Sequence, residues 1–245
     1  MIELAAIAAT AAERDADVPA ARRPRRVDEL PSRVALGDLT RRAPMQHTGE
    51  VVLGVGGDEL DAVRIDLLES GPGFVVAGPP RSGRSTALAT IAVGLRAAGW
   101  HTVAVTARPS PLGAFVDTAV DASAPSVETA LTSATQRLAV LVDDAELVTD
   151  SPAAAVLDRF TRQARDAGNL VAIAGTTDDL SIGFRGFVVE ARRSRTGVLL
   201  TPRGPLDGEA LGIRLPRDTG GQLPPGRGLL VTRGEATAVH LAVPA

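Results

Sequence analysis

Gly78-Pro79-Pro80-Arg81-Ser82-Gly83-Arg84-Ser85-Thr86 decides the fold. The spacing follows the phosphate-binding Walker A pattern G-x-x-x-x-G-K-[ST] at every position but one, where Arg84 stands for the lysine. Upstream, Phe74-Val75-Val76-Ala77 predicts a short buried strand. Downstream, Ser85 to Ala98 predicts a helix closed by Gly99. Strand, glycine turn and helix form the setting in which backbone N–H groups and a helix N-terminus converge on phosphate. The plainer alternative is an ordinary turn whose glycines serve only the backbone.

Working outward, Glu50 to Val55 and Ala62 to Leu67 alternate in polarity around Gly56-Gly57-Asp58, which predicts a hairpin feeding the loop's strand. Thr102 to Thr106, Leu138 to Val142 and Leu170 to Ala174 predict further core strands. Helices are predicted over Ser126 to Arg137 and from a Ser151-Pro152 start to Asp166. Strands alternating with helices imply a parallel sheet covered on both faces. After Gly197 the helical pattern fades. Val198 to Thr201 reads as a strand, and Gly228 to Val231 with Thr237 to Val243 flank the turn Arg233-Gly234-Glu235 as a closing hairpin. Residues 1–13 have helical propensity, and residues 15–33, with Arg22-Arg23-Pro24-Arg25-Arg26, read as a linker or wrapping arm.

Composition narrows the function classes. The 245 residues suffice for one α/β domain plus an extra segment. Five Phe, one Trp and no Tyr argue against stacking platforms for single-stranded nucleic acid. A formal net charge of −3 provides no global basic footprint for DNA. Cysteine is absent, and His47, His101 and His240 lack metal-ligand spacing. The N-terminus lacks the pattern of a secretory signal, and no stretch is long enough to span a membrane. All 26 basic residues are arginine, so coding bias by itself offers a bland origin for Arg84.

A nucleotide hydrolase of this type needs a phosphate cradle, a lysine on the β- and γ-phosphates, a Mg²⁺ site and a group that positions the attacking water. Gly78, Arg81, Ser82, Gly83, Arg84, Ser85 and Thr86 are the candidate cradle for ATP. Ser85 and Asp143, the latter ending the apolar run LAVLV, are the candidate Mg²⁺ residues. Asp144 falls where a catalytic glutamate is expected and is one methylene shorter. Guanidinium is wider and more demanding in geometry than ammonium, so Arg84 compromises alignment of the γ-phosphate more than binding. Arg84 and Asp144 are therefore weakened catalytic candidates. Gly175-Thr176-Thr177 is a candidate γ-phosphate sensor or an ordinary turn. Arg185, Arg192, Arg193 and Arg195 are surface charges or candidates for reaching a neighbouring subunit.

The stretches GPPRSGRST, LAVLVDDAELV and PPGRGLLVTRGEATAVHLA, preceded by LPSRVALGDL and LGVGGDELDAVRIDL, together resemble the FtsK/SpoIIIE family of RecA-like ATPases. The VDDAELV form is most similar to the later, degenerate ATPase domains of EccC-type proteins, the coupling ATPases of type VII secretion in actinobacteria and relatives. The resemblance implies a RecA-like P-loop fold over residues 30–245: a mostly parallel central sheet flanked by helices, with an added N-terminal hairpin and a closing C-terminal β-hairpin. Residues 1–29 are then a helical or linker connector. The implied role is a regulatory or substrate-docking module with weak or no ATP hydrolysis of its own. Its implied partners are other ATPase domains of the same tandem protein, the helical tail of a secreted substrate and a ring oligomer. The implied location is cytoplasmic, as the soluble part of a membrane-anchored protein. Two alternatives remain open: a motor that translocates double-stranded DNA, and a nucleotide-free interaction scaffold.

Overall fold

The computed structural model describes residues 30–245 apart from 44–45, 58–59, 72, 218 and 220–222, together with Thr10 and Pro19. The readings placed on residues 1–13, on Arg22-Arg23-Pro24-Arg25-Arg26 and on Asp58 lie outside the described residues.

A ten-stranded sheet carries the chain, in the order β2-β1-β10-β9-β8-β3-β7-β6-β4-β5. Its N-terminal contributions are helix α1 (Leu36–Arg42) and strands β1 (Glu50–Gly56) and β2 (Asp61–Asp66), the latter two antiparallel as expected. The phosphate-loop strand is β3 (Gly73–Ala77), followed by α2 (Arg84–Ala97) and β4 (His101–Thr106). Then come β5 (Thr118–Asp121), α3 (Ala124–Ser133), β6 (Leu138–Asp143), α4 (Ala145–Thr149) and α5 (Ala154–Ala164). Strand β7 (Leu170–Gly175), α6 (Thr177–Ser181), α7 (Phe187–Arg192) and β8 (Gly197–Leu200) complete the parallel half. The closing hairpin is β9 (Arg227–Thr232) and β10 (Glu235–Leu241). Strands β8, β3, β7, β6, β4 and β5 run parallel, and the hairpins extend the sheet with antiparallel pairing.

The apolar runs explain the layering. Strands β3, β6 and β7 are buried along their whole length, because helices cover both faces. Alternate side chains then feed two cores. Phe74 and Val76 join Leu88, Ile91 and Leu95 of α2 on one face. Val75 and Ala77 join Leu157 of α5 and Phe187 of α7 on the other. Each such buried leucine stabilises by about 2–5 kcal/mol relative to alanine. The register aligns the strand ends that matter: Ala77 lies opposite Gly175, and Asp143 opposite Thr106. Open α/β sheets bind ligands at this C-terminal edge.

Three local expectations shift. Helix α5 starts at Ala154: the Ser151 hydroxyl donates to Val148 O at 2.7 Å and accepts from Ala153 N–H at 3.3 Å, so it joins the end of α4 to a turn and Ala153 becomes the N-cap. Helix α3 starts earlier than Ser126, at Ala124, where the Ser123 hydroxyl caps Ser126 N–H and Pro125 occupies the first turn. It ends at Ser133, since Ala134 is extended and leads into β6. Strand β5 and the short helices α4, α6 and α7 have too few residues to show a period. No helix among the described residues is long and apolar enough to cross a membrane.

Candidate nucleotide site

The loop after β3 is held in shape by its own backbone. Gly78 N–H donates to Gly175 O at 3.1 Å, and Ser82 N–H donates to Pro79 O at 3.2 Å. Gly83, the N-cap of α2, has φ +104°, a left-handed conformation that favours glycine. It also packs against Gly226, whose N–H donates to Ser82 O at 2.8 Å; a Cβ on Gly83 would stand 3.2 Å from Gly226 N. Arg81 and Thr86 line the adjoining cavity of about 480 Å³ with Arg84, Ser85, Arg108 and Asp144. Ser82 turns away from that cavity: its hydroxyl is buried under Gly78 without a hydrogen-bond partner.

Ser85 and Asp143 meet as the motif requires. The Ser85 hydroxyl donates to Asp143 Oδ2 at 2.7 Å, and Asp143 is almost fully buried. Ser110, on the loop after β4, donates to the same oxygen at 2.6 Å. Hard oxygen donors of this kind suit Mg²⁺, which keeps waters and takes phosphate oxygens as its other ligands. Ser85 and Asp143 therefore fit a Mg²⁺ accompanying a bound nucleotide, and the ion would neutralise phosphate charge there.

One residue away the arrangement differs. Arg84 is buried and directed at the β6 end, where its Nη2 pairs with Asp144 Oδ1 at 2.7 Å. Its Nη1 reaches Glu146 Oε1 at 3.5 Å and Gly78 O at 3.4 Å. Asp144 spends its second oxygen on Arg108 Nε, 2.6 Å away. The hydrogen bond to Asp144, then its charge, holds the Arg108 guanidinium above its ordinary pKa. Asp144 adopts φ +48° and ψ +57° at the N-cap of α4, a backbone conformation that aspartate tolerates better than most residues. Burial raises the Glu146 carboxyl pKa, and Arg84 offsets only part of that rise. The second Glu146 oxygen is buried without a partner, against Gly175.

Of the remaining candidates, Thr176 uses its hydroxyl to cap α6, accepting from Asp179 N–H at 3.2 Å. Thr177 is the first residue of that helix. Arg192 points inward and donates to Ser181 O at 3.1 Å and Ala210 O at 3.2 Å; burial lowers its pKa. Arg193 pairs with Glu190 at 2.6 Å. Arg185 is exposed, and Arg195 lies beside Gly212 with φ +49°. The sequence reading missed Arg108, Ser110 and Glu146. For the first two, the available signal was the Arg-Pro-Ser-Pro turn directly after a predicted core strand, at the sheet edge where ligands bind.

No family model and no curated relative matches the chain at the level of sequence. Solved structures match its fold. EccC (ATPases 2 and 3) of Thermomonospora curvata, in complex with a signal sequence peptide, aligns with TM-score 0.68 and 20% identity, over 89% of this chain and 44% of that one. EssC (ATPases 2 and 3) of Geobacillus thermodenitrificans aligns with TM-score 0.71 and 16% identity, over 96% and 48%. The pCW3 conjugation coupling protein TcpA, with ATPγS, aligns with TM-score 0.61 and 14% identity, over 88% and 71%. The chain thus spans about half the length of the EccC and EssC structures. Sheet order, loop geometry and these alignments agree that it has the α/β P-loop ATPase fold seen in EssC and in the type VII secretion ATPase EccC.

Proposed function

We propose that residues 30–245 form a degenerate ATPase module of an FtsK/SpoIIIE-type protein, with residues 1–29 as its connector. The module serves type VII secretion as a regulatory or substrate-docking domain with weak or no hydrolysis of its own. One observation carries this reading: the guanidinium in the lysine position is paired to Asp144 and Glu146. A P-loop lysine reaches the β- and γ-phosphates, whereas Arg84 is committed to two carboxylates. The same ion pair ties up the residue in the water-positioning place. The fold likeness to tandem EccC and EssC ATPase domains supports partner domains in the same protein and a cytoplasmic setting, and one of those neighbours holds a signal sequence peptide.

The docking role draws on three exposed apolar side chains, Ile182 and Phe184 after α6 and Leu206, on segments that Arg192 fastens together. They are the apolar surface this reading offers to the apolar face of a helical tail.

Calorimetric titration with Mg-ATP, paired with a phosphate-release assay, tests the proposal. Weak or absent binding with background phosphate release is expected. Steady release that disappears in Asp143→Ala would refute the degenerate reading. Trp100 fluorescence is a poor reporter, because that residue precedes β4 at the opposite end of the sheet from the cradle.

A further inference from the structure

The segment leading into the domain meets two side chains beside the phosphate loop, Arg227 through the Leu30 and Pro31 carbonyls and His240 through the Ser32 backbone. Arg227, the first residue of β9, donates from Nη2 to Pro31 O at 2.9 Å and also to Leu30 O. Among the described residues no carboxylate pairs with it. Its Nε is buried without a hydrogen-bond partner. The strand opposite places His240 directly across from it. Burial first, and the Arg227 charge second, lower the His240 pKa, and a hydrogen bond with the Ser32 backbone offsets part of that fall, so the guanidinium faces a buried imidazole that does not share its charge. The Leu30 and Pro31 carbonyls are thus the acceptors on which this partly buried cation depends. If they leave, the guanidinium must find others, since an unpaired buried charge is costly.

Arg227 is covalently joined to Gly226, and Gly226 grips the loop. Gly226 N–H donates to Ser82 O at 2.8 Å, while Gly226 O accepts from Leu241 N–H at 2.8 Å. Its φ of +84° lets the backbone pass beside His240 and come against Gly83. A movement of the guanidinium is therefore one residue from the hydrogen bond that fixes Ser82. We propose that Arg227 is a positioning residue for the phosphate loop, and that the incoming Leu30–Ser32 segment sets the loop's conformation through it. The device is independent of hydrolysis and of which ligand the loop takes.

Hydrogen–deuterium exchange on the full chain, without nucleotide, reads this directly. Arg227→Ala should accelerate exchange about five-fold in residues 78–86 and at the Gly226 amide, with residues 138–143 of β6 unchanged. Arg227→Lys, which still donates to Pro31 O, should restore most of the protection. Leu30→Gly combined with Pro31→Gly keeps the two carbonyls but loosens the segment that presents them to Arg227, and should accelerate 78–86 in the same direction by a smaller factor. Faster exchange confined to residues 30–33, with 78–86 unchanged in both variants, would overturn the proposal. If Arg227→Ala does not fold, Arg227→Met, which keeps the aliphatic stem and removes every donor, decides alone by the same criterion. Because no nucleotide is added, a failure of ATP to bind leaves this result interpretable.

Discussion

Arg84 and Ser85 are adjacent in sequence, as are Asp143 and Asp144, yet the two cross-pairs they form have separate fates. Ser85 and Asp143 keep a hydroxyl-to-carboxylate contact that suits Mg²⁺. Arg84 and Asp144 form a buried ion pair, extended outward by Arg108 and inward by Glu146. The first pair leaves its chemistry available to a ligand, whereas the second spends its charges on itself. On the proposed reading, the loop keeps its shape and its metal side while the side that would align the γ-phosphate is occupied by an ion pair.

The contrast can be broken most sharply at Arg84. Arg84→Ala would leave Asp144 and Glu146 without their buried cation and should destabilise the fold by about 3–5 kcal/mol in chemical denaturation. A loss near that of an exposed substitution would mean the pair is loosely held. Arg84→Lys should act through binding instead. A compact ammonium cannot span both carboxylates as the fork does, so Mg-ATP affinity should rise about ten-fold, or about 1.4 kcal/mol, by calorimetry. Phosphate release should stay at background, because Asp144 is unchanged. Turnover gained in that single variant would overturn the role given to Asp144 and leave Arg84 as the whole of the proposed block.

On the metal side, Ser85→Ala and Ser110→Ala each remove one donor from Asp143 and should cost about 1 kcal/mol in stability. Only Ser85→Ala should also weaken the Mg²⁺ dependence of any nucleotide-induced rise in Tm. Equal effects would make Ser110 a metal-side partner of the same rank.

The smallest effect is a pH dependence at Glu146. Burial lifts its folded pKa above the ordinary 4.5, despite Arg84 at 3.5 Å. The folded state therefore holds that proton more tightly than the unfolded chain. The associated stability is full below pH 4.5 and is lost as pH rises through the folded value. Glu146→Gln should match the wild-type Tm at low pH and exceed it at about pH 7. A variant less stable at every pH would show that the Arg84 contact outweighs desolvation.

Much of the fold was legible because its signals are local. The β3–loop–α2 unit and β6 announce themselves through uninterrupted apolar runs beside a glycine turn, and each needs only its own residues. The closing hairpin was legible from Arg233-Gly234 between apolar stretches. That Ser85 and Asp143 lie together was legible because a phosphate-loop hydroxyl and the acid ending a neighbouring core strand are expected to meet, here across 58 residues. No rule pairs Arg84 with Glu146, or Arg108 with Asp144. Those contacts exist because β3, β4 and β6 end at one sheet edge, with β7 between β3 and β6, a fact of register that no single stretch encodes. Arg192 illustrates the converse: its charge read as surface, while the fold uses it as a donor to three carbonyls.

The left-handed backbone at Asp144 also limits what can stand there. Aspartate occupies that region readily, and glutamate, with its longer chain, does so far less. A longer acid at this position therefore meets a conformational obstacle before it meets the Arg84 and Arg108 guanidinium groups that already hold Asp144. The turn into α4 selects its side chain by backbone shape as well as by charge.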